Sequence, residues 1–200
     1  NSQLTQVGVD PCSHQPIKRP HVTQVGYFDA TSKPYKRMAT IPVSVATSTP
    51  IDPPLPEEKK VLELINDGDL TYAKTQFDEN SLSFALSGLT DDPLSNAVMY
   101  ASLWNLVRDA QLTAPEYIAA ALAAYPNLTP VTLSSAVLTN VVTATETFVP
   151  RSKKAELADT IIASLLPQLE GLGAERAMTA SIAVMASARY SSGADAWLMR

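Results

Sequence analysis

Val61–Asp78, which reads V-L-E-L-I-N-D-G-D-L-T-Y-A-K-T-Q-F-D, marks a change of architecture along the 200-residue chain. Nine of the fifteen prolines fall within the first 56 residues, between short runs with the composition of strands. After the junction the sequence is rich in alanine and leucine and has helical periodicity. The chain is therefore predicted to be α+β and to have two parts: strands over residues 1–77 and helices over residues 78–200.

The part before the junction is predicted to form a small antiparallel β-sandwich. Four runs have strand composition, namely Leu4–Val9, His21–Asp29, Arg37–Val45 and Lys59–Asn66. Pro42 indicates that the third run is an edge strand or contains a bulge. We expect Asp29–Pro34 to be a hairpin connection and Thr47–Pro56 to be a loop. Leu70–Gln76 is expected to add the last strand.

The part after the junction has clear helix starts. Asp92-Pro93 and Thr129-Pro130 each place a capping side chain before a first-turn proline, Thr113–Glu116 is a capping box, and Val149-Pro150 opens a further helix. These starts lie 16 to 21 residues apart, so consecutive helices are expected to run antiparallel. Two helices then make a unit of roughly forty residues, which predicts an α-α superhelix of the HEAT or armadillo type. The pattern ends without a capping repeat, so we expect the superhelix to be truncated at its C-terminus.

Apolar stripes predict the buried faces of three of these helices. The stripes are Leu94, Ala97, Val98, Ala101, Trp104 and Val107; Leu133, Val137, Val141, Ala144 and Phe148; and Leu157, Ile161, Leu165 and Leu169. Each one recurs at the spacing of one helix face, so each is expected to face a neighbouring helix.

Composition and charge restrict the class of protein. The chain is 46% hydrophobic, carries a net charge of −5 and has no apolar run near the roughly 18 residues of a membrane span. Residues 1–75 carry eight basic and eight acidic side chains, whereas residues 76–200 carry seven basic and twelve acidic ones. The acidic half argues against a nucleic-acid partner. The single Cys12 and the lack of a signal-type N-terminus favour a cytoplasmic location, and the absence of a starting Met suggests a piece of a longer protein.

Motifs for catalysis or metal binding are missing or weak. No H-E-x-x-H, G-x-S-x-G, Walker or G-x-G-x-x-G sequence occurs. Cys12, His14 and His21 are a conceivable zinc set, although loop residues of a sandwich are the preferred interpretation. Asp67–Asp69 suggests calcium, but no Glu follows at the twelfth position, so a turn with Gly68 at positive φ is preferred.

Other charged groups have simpler interpretations. The acidic pairs Asp78-Glu79 and Asp91-Asp92 precede helices and are expected to complement the helix dipoles. Trp104 with Arg108 and Asp109 is interpreted as core packing with a surface ion pair in preference to a ligand site, and Arg151–Lys154 as a solvated helix start. A small hydrolase that uses the acidic pairs is a weaker hypothesis, because no orienting base accompanies them.

Three stretches together resemble one known family. Leu64–Lys74 (L-I-N-D-G-D-L-T-Y-A-K), Ser102–Asp109 and His21–Asp29 are similar to sequences of zinc aminopeptidases of the aminopeptidase N family, in the actinobacterial branch. In that family a strand ending in Asn-Asp leads through an acidic turn to the first helix. Gly68 departs from the acidic residue expected there. The agreement is good over residues 20–125, and beyond residue 125 only the helical character matches.

The resemblance implies a non-catalytic role. Proteins of that family contain an N-terminal saddle of strands, a thermolysin-like catalytic domain, a small β-sandwich and a helical superhelix, and this chain resembles the third part and the start of the fourth. The H-E-x-x-H helix, its Glu ligand and the G-A-M-E-N loop belong to the missing part. The resemblance therefore implies no catalytic and no metal residue here, leaves substrate-binding residues unassigned, and places the zinc outside this chain.

The implied partners are the catalytic domain of the same polypeptide and peptide substrates, with the helices closing the active-site chamber as a lid. This chain alone is expected to be inactive. The acidic side chains of residues 76–200 are expected to concentrate on the concave face of the superhelix and to steer peptide N-termini.

A stand-alone HEAT-like protein-binding scaffold without enzymatic activity fits the composition and periodicity equally well. The aminopeptidase interpretation requires roughly 600 further residues upstream that contain H-E-x-x-H and G-x-M-E-N.

Overall fold

A computed structural model describes residues 2–17, 19–45, 48–51, 61–191 and 193, and it shows antiparallel strands followed by helices. The strands are β1 Ser2–Thr5, β2 His21–Asp29, β3 Lys36–Val45, β4 Ser48–Ile51 and β5 Val61–Ile65. The helices are α1 Glu79–Ser87, α2 Pro93–Arg108, α3 Ala114–Ala124, α4 Val131–Thr147, α5 Lys154–Leu165 and α6 Ala174–Ala188. Short 3-10 turns cover Tyr125–Asn127, Arg151–Lys153 and Leu166–Gly171. The α+β class predicted from the sequence is confirmed.

The described strands form two antiparallel sheets. One has the order β1-β4 and the other has the order β3-β2-β5. β2 is the central strand, with Val25, Tyr27 and Phe28 buried, and a register shift falls between Tyr27 and Phe28. Pro42 lies in β3, which is at the edge of its sheet. The edge-strand prediction is therefore confirmed, since proline cannot donate to a further strand.

Side chains from both sheets share one apolar core. Val25 and Tyr27 of β2 pack with Val43 of β3 and Ile51 of β4, and partly buried side chains surround them. These are Leu4, Ala39, Ile41, Val45 and Val61. Tyr27 is completely buried, and burial together with the charge of Glu63 raises its pKa to about 12.

Two strand predictions are wrong, and both errors have a tertiary cause. Leu70–Gln76 forms no strand. The backbone N–H of Glu63 on β5 donates to Ser81 Oγ of α1 at 3.0 Å, so α1 and not a further strand contacts this edge of the sheet. Within the predicted loop Thr47–Pro56, residues 48–51 form β4, because they pair with β1. Residues 52–60 lie outside the described part of the chain.

The N-terminal strand is shorter than predicted. Leu4–Val9 was expected to be a strand, but β1 ends at Thr5, opposite Ser48, where β4 begins. Val7 is exposed, and Val9 makes only an isolated bridge to Pro16.

The helix starts follow the sequence, except that α4 lacks its predicted cap and α5 begins only at Lys154, after the 3-10 turn that follows Pro150. Thr113 accepts from the backbone N–H of Glu116 at 3.4 Å, and the Glu116 carboxylate accepts from the backbone N–H of Thr113 at 3.1 Å, so the predicted capping box is present. α4 begins at Val131 after Pro130, and no side chain caps it. Thr129 was expected to supply that cap, and this expectation is wrong.

The buried face of α2 differs from its predicted stripe. Leu94 and Ala101 are exposed, whereas Ser95, Met99 and Leu103 are completely buried. Val98 and Val107 of the predicted stripe are buried, and the hydroxyl of the buried Ser95 donates to Asp67 Oδ1 at 2.6 Å, a polar contact that the apolar pattern did not indicate. The centres of the other two stripes are buried: Val137, Val141 and Ala144 in α4, and Ile161 and Leu165 in α5.

The chain divides into two compact units, residues 1–99 and residues 100–200. In the second unit α6 packs against α4 and α5, and α3 also contacts α4 and α5. The division falls within α2. The predicted domain boundary after residue 77 rests on the change from strands to helices and stays a prediction.

Candidate functional site

Arg37, Asp67, Asp92 and Ser95 form a group of charged and polar side chains, here called the Arg37 cluster. They come from β3, the turn after β5 and the start of α2. The Arg37 guanidinium forms ion pairs with Asp67 and with Asp92 and donates to Ser95 Oγ at 2.8 Å. Its Cζ also lies 4.9 Å from the centroid of the Phe28 ring. One cation therefore joins a strand, a turn and a helix.

The Asp67 carboxylate has no solvent exposure, and it is ion-paired and hydrogen-bonded. Ser95 Oγ donates to Asp67 Oδ1 at 2.6 Å. Burying a carboxylate without a partner would cost several kcal/mol, so Arg37 and Ser95 are what make this position tolerable.

Gly26 on β2 allows the carboxylate of Asp67 to approach the sheet. A Cβ atom at position 26 would lie 2.7 Å from Asp67 Cγ and 2.9 Å from Phe28 Cε2. Both separations are shorter than real Cβ contacts, so a side chain at position 26 would displace the carboxylate from Arg37.

Asp92 caps α2 while it pairs with Arg37. Its carboxylate accepts from the backbone N–H of Leu94 at 3.0 Å, and its carbonyl accepts from the N–H of Asn96 at 3.0 Å. Partial burial opposes the ionised form, but the bonds from Leu94, Ser95 and Arg37 outweigh it and lower the pKa of the Asp92 carboxyl. Its predicted role as a helix N-terminal charge is confirmed.

The turn that carries Asp67 has the predicted glycine conformation. Gly68 has φ +86°, and the N–H of Asp69 donates to the Asn66 carbonyl at 2.9 Å. The Asn66 amide holds the next segment, since its Oδ1 accepts from the N–H of Thr71 at 3.0 Å and its Nδ2 donates to the Thr71 carbonyl at 2.9 Å. The acidic sequence is a structured turn, as predicted.

The proposed zinc ligands are not brought together. Cys12 is exposed, and His21 Nδ1 lies 2.7 Å from Thr71 Oγ1. In the described ranges, no three His, Cys, Asp or Glu side chains are grouped so that they could hold a metal ion.

The other residues singled out in the sequence serve as helix caps, ion-pair partners or packed aromatic side chains. Asp78 caps α1 by accepting from the N–H groups of Asn80 and Ser81, and Asp91 lies 3.6 Å from Lys36 Nζ. Trp104 packs with its ring centroid 5.5 Å from that of Tyr117 and 5.9 Å from that of Phe148.

The predicted basic helix start is likewise a structural feature. Arg151–Lys153 is an exposed 3-10 turn, and Lys154 Nζ donates to the Glu146 carbonyl at 2.6 Å.

The Arg37 cluster therefore has the chemistry of a structural joint. The Ser95 hydroxyl is completely buried and is hydrogen-bonded to both carboxylates and to the guanidinium, so it is held within the cluster and is not accessible from solvent. The sequence-based interpretation did not identify Arg37 or Ser95. A signal was present in one respect: a carboxylate directly after the buried strand β5 needs a cation, but the sequence does not say which one.

No helix in the described part of the chain is both long and apolar enough to cross a membrane.

Comparisons with known proteins agree with the resemblance read from the sequence. A family model described as "ERAP1-like C-terminal domain" matches residues 62–194. A protein named "Aminopeptidase N" from Streptomyces lividans is 32% identical to this chain over 112 residues. That alignment covers 54% of this chain and 13% of the relative, so the chain corresponds to a small part of the relative's length.

Proposed function

Because this chain belongs to the ERAP1-like C-terminal domain family, we propose that it is the non-catalytic part of a zinc-dependent aminopeptidase that removes N-terminal residues from peptides. The observation that carries the proposal is the family match over residues 62–194, together with the 32% identity to an aminopeptidase N. The zinc and its ligands lie outside this chain in the proposal. Its partners are the catalytic domain of the same polypeptide and the peptide substrates, in a cytoplasmic setting.

In this proposal the chain comprises a β-sandwich and, after it in the sequence, a helical superhelix, and the helices shape and close the active-site chamber. The shared core of the two sheets supports the sandwich. The packing of α6 on α4 and α5 and of α3 on α4 and α5 supports a layered helical arrangement. A lid that excludes bulk water strengthens electrostatic interactions at a reacting centre, which is the physical benefit of such a part.

The Arg37 cluster contributes rigidity to this part. It ties β3, the turn after β5 and the start of α2 to one guanidinium, and Asp67 is inaccessible to solvent. A positioned scaffold needs such fixed connections, because a small displacement far from the chemistry can lower a rate substantially.

The proposal is tested by comparing two polypeptides in one assay. The purified 200-residue chain and the longer product of its gene are incubated with an aminoacyl amide, and zinc is measured in both by elemental analysis. We expect turnover and bound zinc only in the longer protein, whose sequence should contain H-E-x-x-H. Turnover by the 200-residue chain, or a gene that encodes no such motif, contradicts the proposal; the second outcome favours the stand-alone binding scaffold.

A further inference from the structure

The turn after β5 contains the single Asp-Gly pair of the sequence, Asp67-Gly68. Among aspartates, one that is followed by glycine isomerises to isoaspartate most readily, because glycine has no side chain to shield its nitrogen. Gly68 is partly exposed and Asp69 is exposed, so water has access to the glycine side of this peptide bond. The residue pair most open to this reaction therefore supplies the buried carboxylate of the Arg37 cluster.

The reaction needs only water. The Gly68 nitrogen loses its proton and bonds to Asp67 Cγ, one carboxyl oxygen departs as water, and a five-membered succinimide ring forms. A water molecule then opens the ring. When it attacks the main-chain carbonyl carbon of Asp67, the original peptide C–N bond breaks and the chain continues through Cγ. One water leaves and one enters, so isoaspartate has the same atoms as aspartate in a different connection.

The folded protein holds the Asp67 carboxylate in its unreactive form. Arg37 pairs with Oδ2, and Ser95 Oγ donates to Oδ1 at 2.6 Å, so both oxygens are bound. An ionised oxygen is a poor leaving group, because it must be protonated to depart as water. The side chain has no solvent exposure, so it has to leave the cluster before it can take up a proton from water. Isomerisation at position 67 thus requires a local opening of the fold.

An isoaspartate at position 67 does not fit the cluster. Its carboxylate branches directly from Cα, one methylene closer to the main chain than in aspartate, and the main chain itself is one atom longer. The N–H of Asp69 donates to the Asn66 carbonyl at 2.9 Å across this turn, so an added main-chain atom distorts the turn. A molecule that has opened and isomerised therefore cannot close the original ion pair with Arg37.

We propose that Asp67-Gly68 is an isomerisation site that the Arg37 cluster protects, and that its conversion to isoaspartate breaks the joint between β3, the turn after β5 and α2. The rate in the folded chain is then the intrinsic rate multiplied by the fraction of molecules in which the cluster is open. The reaction does not require peptidase activity, so its outcome is independent of the proposed function.

The first test measures isoaspartate in the 200-residue chain during incubation at physiological temperature and neutral pH. Peptide mapping locates the modified residue, and labelling with isoaspartyl methyltransferase quantifies it. We expect the folded chain to isomerise at position 67 at least about tenfold more slowly than the same chain unfolded in urea. In the unfolded chain, Gly68→Ala should slow the reaction several-fold, because a methyl group then shields the nitrogen.

The second test removes the protection. Arg37→Ala should raise the rate in the folded chain at least about tenfold, because it frees Oδ2 and removes the cation that stabilises the ionised carboxylate. Ser95→Ala removes one hydrogen bond and should raise the rate by a smaller factor, so it provides the measurement if Arg37→Ala does not fold. Lys36→Ala is the matched control and should leave the rate unchanged. Circular dichroism checks that each variant is folded.

A further control separates local opening from general loss of stability. Val43→Ala weakens the apolar core of the strands and leaves the residues of the Arg37 cluster in place. It should raise the rate less than a cluster variant that loses the same stability in urea. Four results would overturn the proposal: no isoaspartate at position 67 in the unfolded chain, equal rates in the folded and unfolded chains, an unchanged rate in both cluster variants, or an equal increase in Val43→Ala.

Discussion

At the scale of single residues, the important fact is that one guanidinium satisfies two carboxylates. Arg37 pairs with the buried Asp67 and with the partly exposed Asp92, and these two carboxylates differ in how far they depend on Arg37 to compensate their charge. Asp92 also has the helix N-terminus as a partner. The Asp67 carboxylate is inaccessible to solvent, so the loss of Arg37 would leave the negative charge of Asp67 largely uncompensated.

Arg37→Ala is therefore expected to lower the free energy of unfolding by about 3 kcal/mol, the cost of breaking a buried ion pair from one side. Urea denaturation followed by circular dichroism measures this change. Lys36→Ala is the matched control, because the neighbouring cation is 63% exposed and its Nζ lies 3.6 Å from Asp91. The control should lose less than about 1 kcal/mol. Equal losses of unfolding free energy in the two variants would contradict the prediction that the buried Arg37–Asp67 ion pair contributes more to stability than the exposed Lys36–Asp91 pair.

Tyr27 provides a test of buried polarity. Its hydroxyl is buried with no hydrogen-bond partner in the described residues, and burial raises its pKa from 10.0 to about 12. Below pH 10 both the folded and the unfolded states keep the phenol proton. As the pH rises from 10 towards 12 the unfolded state ionises first, so the protein loses stability over that interval.

Tyr27→Phe should remove this part of the alkaline destabilisation and should leave stability at neutral pH unchanged or slightly higher, since no hydrogen bond is lost. Denaturant unfolding of both proteins at neutral and alkaline pH measures the difference. The prediction fails if the two proteins lose stability in parallel above pH 10. Tyr100 also has a raised pKa, and because it donates to the Ala120 carbonyl at 3.2 Å, Tyr100→Phe should be destabilising at neutral pH.

At the scale of elements, the sequence pattern predicted those strands and helices whose formation depends mainly on neighbouring residues. β2 has the predicted bounds His21–Asp29, because its alternation of apolar side chains requires a strand with a buried face. Leu70–Gln76 has a similar alternation and is not a strand. A strand needs a partner edge, and α1 contacts that edge of β5 through Ser81. The sequence of a segment does not reveal which other element packs against a given edge of a sheet in the folded protein.

The same limit applies to the candidate site. Gly68 and its turn were predictable because a positive φ and an Asn-Asp-Gly sequence are local properties. Arg37 was not, since its partners Asp67 and Asp92 lie 30 and 55 residues away. Before folding, nothing distinguishes Arg37 from its exposed neighbour Lys36.

The two threonines before helices test capping at this scale. Thr113→Ala is expected to cost about 1 kcal/mol of unfolding free energy, because it removes the bond to the N–H of Glu116 and one half of the capping box. Thr129→Ala is the control at another exposed position, which precedes α4 without capping it, and should cost less than about 0.5 kcal/mol. Thermal unfolding of the two variants measures both effects. A larger loss at Thr129 would contradict the observed helix start.

At the scale of the whole molecule, charge is the property that single contacts do not explain. Residues 76–200 carry twelve acidic and seven basic side chains, whereas the first 75 residues are balanced. Several of the acids already serve as caps or ion-pair partners, as Asp78 and Asp92 do. A summed negative field nevertheless acts at long range, and a peptide substrate presents a positive N-terminal amine to it.

In the longer enzyme that we propose, kcat/KM for a peptide with a free N-terminus should therefore fall as ionic strength rises. We expect a decrease of at least about twofold between low and physiological salt, because the Debye length shortens from about 30 to about 8 Å. Changing the exposed Glu79, Glu156 and Glu170 to Gln should lower kcat/KM at low salt and flatten its salt dependence. Arg151→Gln, also exposed, should shift kcat/KM in the opposite direction. Electrostatic steering changes the rate at which enzyme and substrate meet, so kcat should stay constant in all these experiments. A salt dependence found in kcat alone would rule out the acidic field as its cause. So would a salt dependence of kcat/KM that these substitutions leave unchanged.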